Sequence, residues 1–118
     1  MQKELLETNP IVKLSFNFSL KLVQYCEQLE NARKFIIMNQ LLRDGTSIGA
    51  NVLEARNPES RADFIHKMKV AAKEADEAQY WLMLCENSES YPDCKELIIK
   101  LDEIQKILTK IIASTRRK

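Results

Sequence analysis

A chain of 118 residues with 45% apolar and 30% charged side chains can bury a core without disulfide or metal staples. No apolar run approaches the roughly 18 residues that a membrane span needs, which excludes an integral membrane helix. Two glycines and three prolines against abundant Leu, Ile, Ala, Glu and Lys exclude a β-rich or low-complexity chain, and a net charge of +1 argues against strong non-specific nucleic-acid binding by a monomer.

The opening MQKELLETNP lacks the apolar core of a signal peptide, so the expected location is the cytoplasm. Asn9-Pro10 is a helix start, with Asn as N-cap and Pro at the first helical position. Ile11, Leu14, Phe18, Leu22, Tyr25 and Leu29 then step by three and four along one face. A second row, Val12, Phe16, Leu20 and Val23, widens that stripe, and the helix is expected to end near Glu30 or Asn31.

Asn31 can cap a second helix, predicted from Ala32 to about Arg56, where Asn57-Pro58 stops it. This helix carries QLLRDGTSIGANVLEA, which holds both glycines of the protein, Gly45 and Gly49, four residues apart. Leu41, Leu42, Ile48, Val52 and Leu53 keep helical spacing across them, which predicts a continuous helix. The alternative is a turn at Asp44-Gly45 between two shorter helices. Two helical glycines cost about 1 kcal/mol each relative to alanine, and the gain expected in return is a flat strip for close backbone approach.

Ser60-x-x-Asp63 opens a third helix as a shortened capping box. Phe64, Met68, Ala71, Ala75, Ala78 and Leu82 form its inner face, and its small residues, Ala71 and Ala75 foremost, are expected to pack on Gly45 and Gly49. The third helix closes around Asn87 to Ser90. Pro92 is expected to start the fourth, in which Leu97, Leu101, Ile104, Leu108 and Ile111 step four, three, four, three. The tail from Ser114 to Lys118 is expected to fray.

Four long helices on short connections predict one all-α domain spanning residues 1–118, an antiparallel up-down-up-down four-helix bundle. The first and fourth helices carry more apolar surface than one core-facing stripe needs, so another subunit is expected to cover the excess. Charge is segregated along the chain: −1 over residues 1–30, +4 over 31–73, −7 over 74–105 and +5 over 106–118. Oppositely charged surfaces of this kind can meet in a neighbouring copy.

No chemistry-bearing motif emerges. A di-iron bundle site needs Glu-x-x-His on two helices, and His66 is the one histidine, with Asp63 three residues before it. His66 is read as a surface or interface residue. Cys26, Cys85 and Cys94 are odd in number, without metal-ligand spacing, and read as reduced, packed thiols. Glu54 and Glu74 are candidate buried carboxylates, expected to bond Thr46, Ser47, Asn51 or Tyr80 across helices. Trp81 and Tyr80 diverge by about 100° on their helix, one toward the core and one toward an interface. No cofactor, metal or catalytic residue is expected, and the chain is read as non-enzymatic.

The run QLLRDGTSIGANVLEA, followed by SRADFIHKM and KEADEAQYWL, resembles the bacterial four-helix-bundle family whose genes occur in intervening sequences of large-subunit ribosomal RNA genes. The family pattern reads QLLRSGTSIGANIxEA and then SxxDFIxKLxIALKEAxETxYWL. This chain departs from it with Asp44 for Ser, Val52 for Ile and Ala78 for Thr. The resemblance implies a bundle that assembles into a ring, commonly a pentamer. It also implies kinship with the accessory variability protein of diversity-generating retroelements, whose basic pentamers bind nucleic acid and a reverse transcriptase. No catalytic residues carry over. Motif positions Arg43, Gly45, Thr46, Ser47, Gly49, Asn51, Glu54, Asp63, Phe64, Lys67, Glu74, Tyr80 and Trp81 carry over as packing or interface candidates.

The expected function is binding, to RNA, DNA or a nucleic-acid enzyme, by a homo-oligomer. The alternative is a protein-interaction scaffold without nucleic-acid affinity. Arg56, Arg61, Lys67 and the Arg116, Arg117, Lys118 tail are the candidate phosphate contacts.

Overall fold

The computed structural model describes residues 2–117 and is helical in all its regular structure. A short helix, α1 (Gln2–Thr8), precedes the predicted start. Seven residues are too few to hold a helix by propensity, and the sequence pattern did not announce it. Tertiary packing accounts for it, because Leu5 and Leu6 half-bury against the core. Asn9 then sits in extended backbone and accepts from the Val12 N–H at 3.4 Å, opening α2 (Pro10–Asn31) where Asn-Pro predicts.

The α2–α3 connection differs from expectation. Asn31 ends α2 rather than capping α3 (Phe35–Glu54). Arg33 adopts a left-handed φ of 61°, Lys34 N–H donates back to Leu29 C=O at 2.8 Å, and Arg33 N–H donates to Glu30 C=O at 2.9 Å. That pair of bonds is a Schellman turn, built here on Arg where glycine is usual. Helix α3 runs unbroken through Gly45 and Gly49, neither of which has a positive φ, so the turn alternative at Asp44-Gly45 is excluded.

Ser60 caps α4 (Arg61–Glu86) through its hydroxyl, which accepts from Asp63 N–H at 3.0 Å. Asp63 reaches back to the Glu59 N–H, one residue earlier than a full capping box would place it. Helix α5 (Lys95–Arg116) starts three residues after Pro92. The Pro92 carbonyl accepts from the Tyr25 hydroxyl at 2.8 Å, and Cys94 takes the N-cap position. Toward the C-terminus, α5 stays helical through Arg116, where fraying was expected. Arg61 donates to the Thr115 carbonyl through both Nε (3.1 Å) and Nη2, satisfying an acceptor that the helix end leaves open.

The four long helices alternate in direction, and each packs on two neighbours: α2 on α3 and α5, α4 on α3 and α5. The order around the bundle is therefore α2, α3, α4, α5, and the chain is an antiparallel four-helix bundle of 47 × 29 × 21 Å. Phe18, Leu22, Leu29, Leu41, Ile48, Leu82, Leu101, Ile104 and Leu108 fill its centre, fully buried. Ile11, Phe18, Leu22, Tyr25 and Leu29 of α2 and Leu97, Leu101, Ile104 and Leu108 of α5 point inward as their spacing predicts, whereas Phe16, Leu20 and Val23 of the second α2 row stay exposed.

One packing expectation is overturned. Gly45 and Gly49 face α2, not the alanines of α4. A Cβ on Gly45 would overlap Leu22 Cδ2 and sit 3.5 Å from Phe18, and one on Gly49 would lie 3.5–3.6 Å from Ser15 and Ser19. Ala71, Ala75 and Ala78 are fully buried without the glycines as counterpart. The second helix had two faces to choose from, and bulky Phe18 and Leu22 on α2 need the space that glycine leaves.

Candidate functional site

The alternating topology brings the C-terminus of α3, the N-terminus of α4 and the C-terminus of α5 to one end of the bundle. Arg56, Arg61, Arg116 and Arg117 gather there, all exposed. Arg61 reaches across from α4 to Thr115, which fixes its guanidinium beside the α5 terminus. Arg56 Nε donates to Leu53 C=O at 3.3 Å within its own turn. A guanidinium carries five donors, so both arginines keep N–H groups for an outside acceptor. Lys67 is engaged differently: its Nζ lies 3.0 Å from Asp63 Oδ2. The Glu59 N–H and then Lys67 hold the Asp63 carboxyl below its ordinary value, and the bond to Asp63 pushes Lys67 up. Glu54, Glu59 and Asp63 are acidic side chains near this end, where α2 also begins and α1 packs on it with Glu4 and Glu7. Lys118 lies outside the described residues.

Two apolar grooves run along opposite sides. Between α2 and α3, Phe16 and Leu53 flank a floor of Gly49, Ala50 and Thr46. Phe16, Leu20 and Val23, at i, i+4 and i+7, stay 46%, 51% and 43% exposed, which places the second row of α2 outside the core. Between α4 and α5, Met83 and Ile99 are 50% and 63% exposed beside Ile98. Because the helix order is α2, α3, α4, α5, these grooves lie on opposite faces. Their linings differ: Glu86 and Asp102 line the α4–α5 groove, whereas the lining of the α2–α3 groove is uncharged.

A third constellation lies in the α3–α4 seam, and the sequence reading missed it. Asp44 is 2% exposed and accepts from Trp81 Nε1 at 2.8 Å. The carboxylates of Asp44, Glu74 and Glu77 lie within 4.8 Å of one another. These are hard oxygen donors, but three fall well short of the six to eight that an ion such as calcium takes. The available signal was Asp44 itself, an acid standing between Leu41 and Ile48 on the buried stripe of α3.

Expected partners across helices do not form. Thr46, Ser47 and Asn51 bond the carbonyls of Leu42, Arg43 and Ser47 on their own helix. Glu54 is exposed, and Glu74 is half-buried against Asp44. Trp81 turns inward to Asp44, and Tyr80, 56% exposed, meets it edge-on at 5.4 Å. His66 is exposed, and the three cysteines are buried and unpaired. Burial pushes the thiols of Cys26 and Cys94 up to about 11, which keeps them protonated and poorly nucleophilic at neutral pH. No helix of the described residues is long and apolar enough to cross a membrane.

Comparison with known proteins follows the same outline. The profile of the family described as 23S rRNA-intervening sequence protein matches residues 7–110. A crystal structure of a protein with unknown function from the S23 ribosomal protein family of Bacteroides thetaiotaomicron is similar at a TM-score of 0.78 and 40% identity, over 86% of this chain and 97% of that one. No curated protein matches the chain.

Proposed function

The chain belongs to the 23S rRNA-intervening sequence protein family, and from that premise we propose that it is a non-enzymatic bundle that works by assembling with copies of itself and binding through the assembly. The observation that carries this reading is the pair of exposed apolar grooves on opposite faces, one with an uncharged lining and the other lined in part by Glu86 and Asp102. Soluble monomers rarely leave such rows uncovered. Two different apolar faces on opposite sides favour head-to-tail contacts, which close into a ring when the rotation permits. The family resemblance makes five the expected number of subunits.

The arginine cluster supports the nature of the bound partner. Arg56, Arg61, Arg116 and Arg117 stand at one end of each bundle, so a ring would repeat them around its axis. Nucleic-acid phosphates are the acceptors such a repeated patch fits. A reverse transcriptase or other nucleic-acid enzyme is the protein partner that the retroelement kinship suggests.

The test uses one blocked face at a time. Leu53→Asp disables the α2–α3 groove and Ile99→Asp disables the α4–α5 groove. Each variant alone is expected to be monomeric and folded. Mixed together, they are expected to form a dimer and stop there, because one good copy of each face remains. A mixture that stays monomeric, or variants that assemble like the parent chain, would overturn the head-to-tail reading.

A further inference from the structure

Asp44 is a carboxylate in a place that the helix pattern reserves for an apolar residue. Its Oδ2 accepts from the Trp81 indole at 2.8 Å. Arg43 Nε lies 3.6 Å from Oδ1, but the Arg43 side chain is 70% exposed, so solvent screens that pair. From α4, the carboxylates of Glu74 and Glu77 come within 4.8 Å of it. Like charges at this distance, with one of them buried, disfavour full ionisation of both.

We propose that Asp44 and Glu74 share one proton across the α3–α4 seam, as a hydrogen-bonded carboxylic acid–carboxylate pair that latches the two helices together in mild acid and opens as the pH rises. The Trp81 indole can only donate, and it occupies Oδ2 of Asp44, so the hydrogen of the carboxyl pair is the one that Glu74 carries. The Glu74 carboxyl is correspondingly raised above its ordinary value, by burial first, then by its hydrogen bond to Asp44 and the charges of Asp44 and Glu77, with Lys73 opposing. The neighbouring elements leave this arrangement undisturbed. Helix α2 presents Phe18 and Leu22 to the same stretch of α3, and neither titrates. Helix α5 meets α4 through Gln105, which donates to Asp76 and Gln79.

The sign follows from the raised carboxyl. An acid whose folded value lies above its unfolded one contributes stability that is complete below the unfolded glutamate range and lost as the pH rises through the folded value. The seam is therefore tightest in mild acid. The resembling family pattern has Ser at position 44, so the latch is a property of this chain's own aspartate.

Trp81 is the single tryptophan of the protein, so its fluorescence reads this seam alone. Titrated from about pH 4 to 8, the emission of the parent chain is expected to show one transition with a midpoint above the ordinary glutamate range of about 4.3. In Glu74→Gln, which keeps a donor toward Asp44 and cannot ionise, the transition is expected to vanish, and the melting temperature at pH 8 to equal or exceed that of the parent. Carboxyl carbon NMR of Glu74 provides the second measurement, with its titration moving back toward the ordinary value in Asp44→Ser. A flat parent profile, a transition that survives in Glu74→Gln, or a Glu74 midpoint at or below the ordinary value would overturn the latch.

Discussion

Gly45 and Gly49 look alike in the sequence and do different work. Gly45 is buried, and a methyl group there would collide with Leu22, itself fully buried and unable to swing away without displacing its neighbours. Gly45→Ala is expected to destabilise the protein by up to about 2 kcal/mol in urea unfolding, since overpacking costs about 1–3 kcal/mol and helix propensity returns about 1. Gly49 meets only ordinary contacts at 3.5–3.6 Å, so Gly49→Ala is expected to stabilise by about 0.5–1 kcal/mol. If both substitutions shift stability in the same direction, the assignment of the two roles is wrong. The spacing of the glycines marked a helix face that a neighbour packs against closely. It did not reveal which neighbour approaches, because α2 and α4 both flank α3 and the glycines carry no side chain to point. Asp44 was equally visible as an acid among apolar positions, yet its partner Trp81 lies 37 residues away, beyond any helical spacing.

Each long helix was legible from its apolar period, because burial against two neighbours imposes that period on every bundle helix. The start signals with a side-chain mechanism also survived: Asn9 and Ser60 both accept from the N–H three residues on. Ser60→Ala is accordingly expected to lower stability by about 1 kcal/mol, read by thermal or urea unfolding at neutral pH, and an unchanged midpoint would contradict the capping role. The turns that failed are those fixed from a distance. Pro92 is drawn away from α5 by the Tyr25 hydroxyl on α2, and only the folded bundle brings the two together. Tyr25→Phe is expected to cost about 1 kcal/mol by leaving that carbonyl without its donor, and a neutral result would mean that the strap carries no stability. At the α2–α3 turn, Arg33 takes the left-handed position that glycine usually marks, so the sequence carried no flag.

At the scale of the whole molecule, the excess apolar surface expected on the first and fourth helices is present, but it is shared more widely. Leu53 on α3 and Met83 on α4 complete the two grooves that Phe16 and Ile99 begin. The sequence could not distribute that surface between faces, because the order of helices around the bundle is a tertiary property. The arginine end follows the same logic. Its residues lie in separate segments of the chain, and antiparallel topology collects them. If they contact phosphates as proposed, affinity for structured RNA or duplex DNA falls by roughly one log unit per log unit of salt for each phosphate contacted. Arg116→Ala with Arg117→Ala is expected to flatten that slope more than Lys67→Ala, since Lys67 is held by Asp63. No binding at low salt would leave the scaffold reading in place of the nucleic-acid one. Assembly is the claim on which the repeated arginine patch and the covered grooves both depend, and sedimentation equilibrium of the purified protein at micromolar concentration tests it most directly. The account predicts a species several times the 13.7 kDa chain mass, with five chains expected, that collapses to one chain in Leu53→Asp. A parent protein that sediments at the mass of a single chain would contradict it.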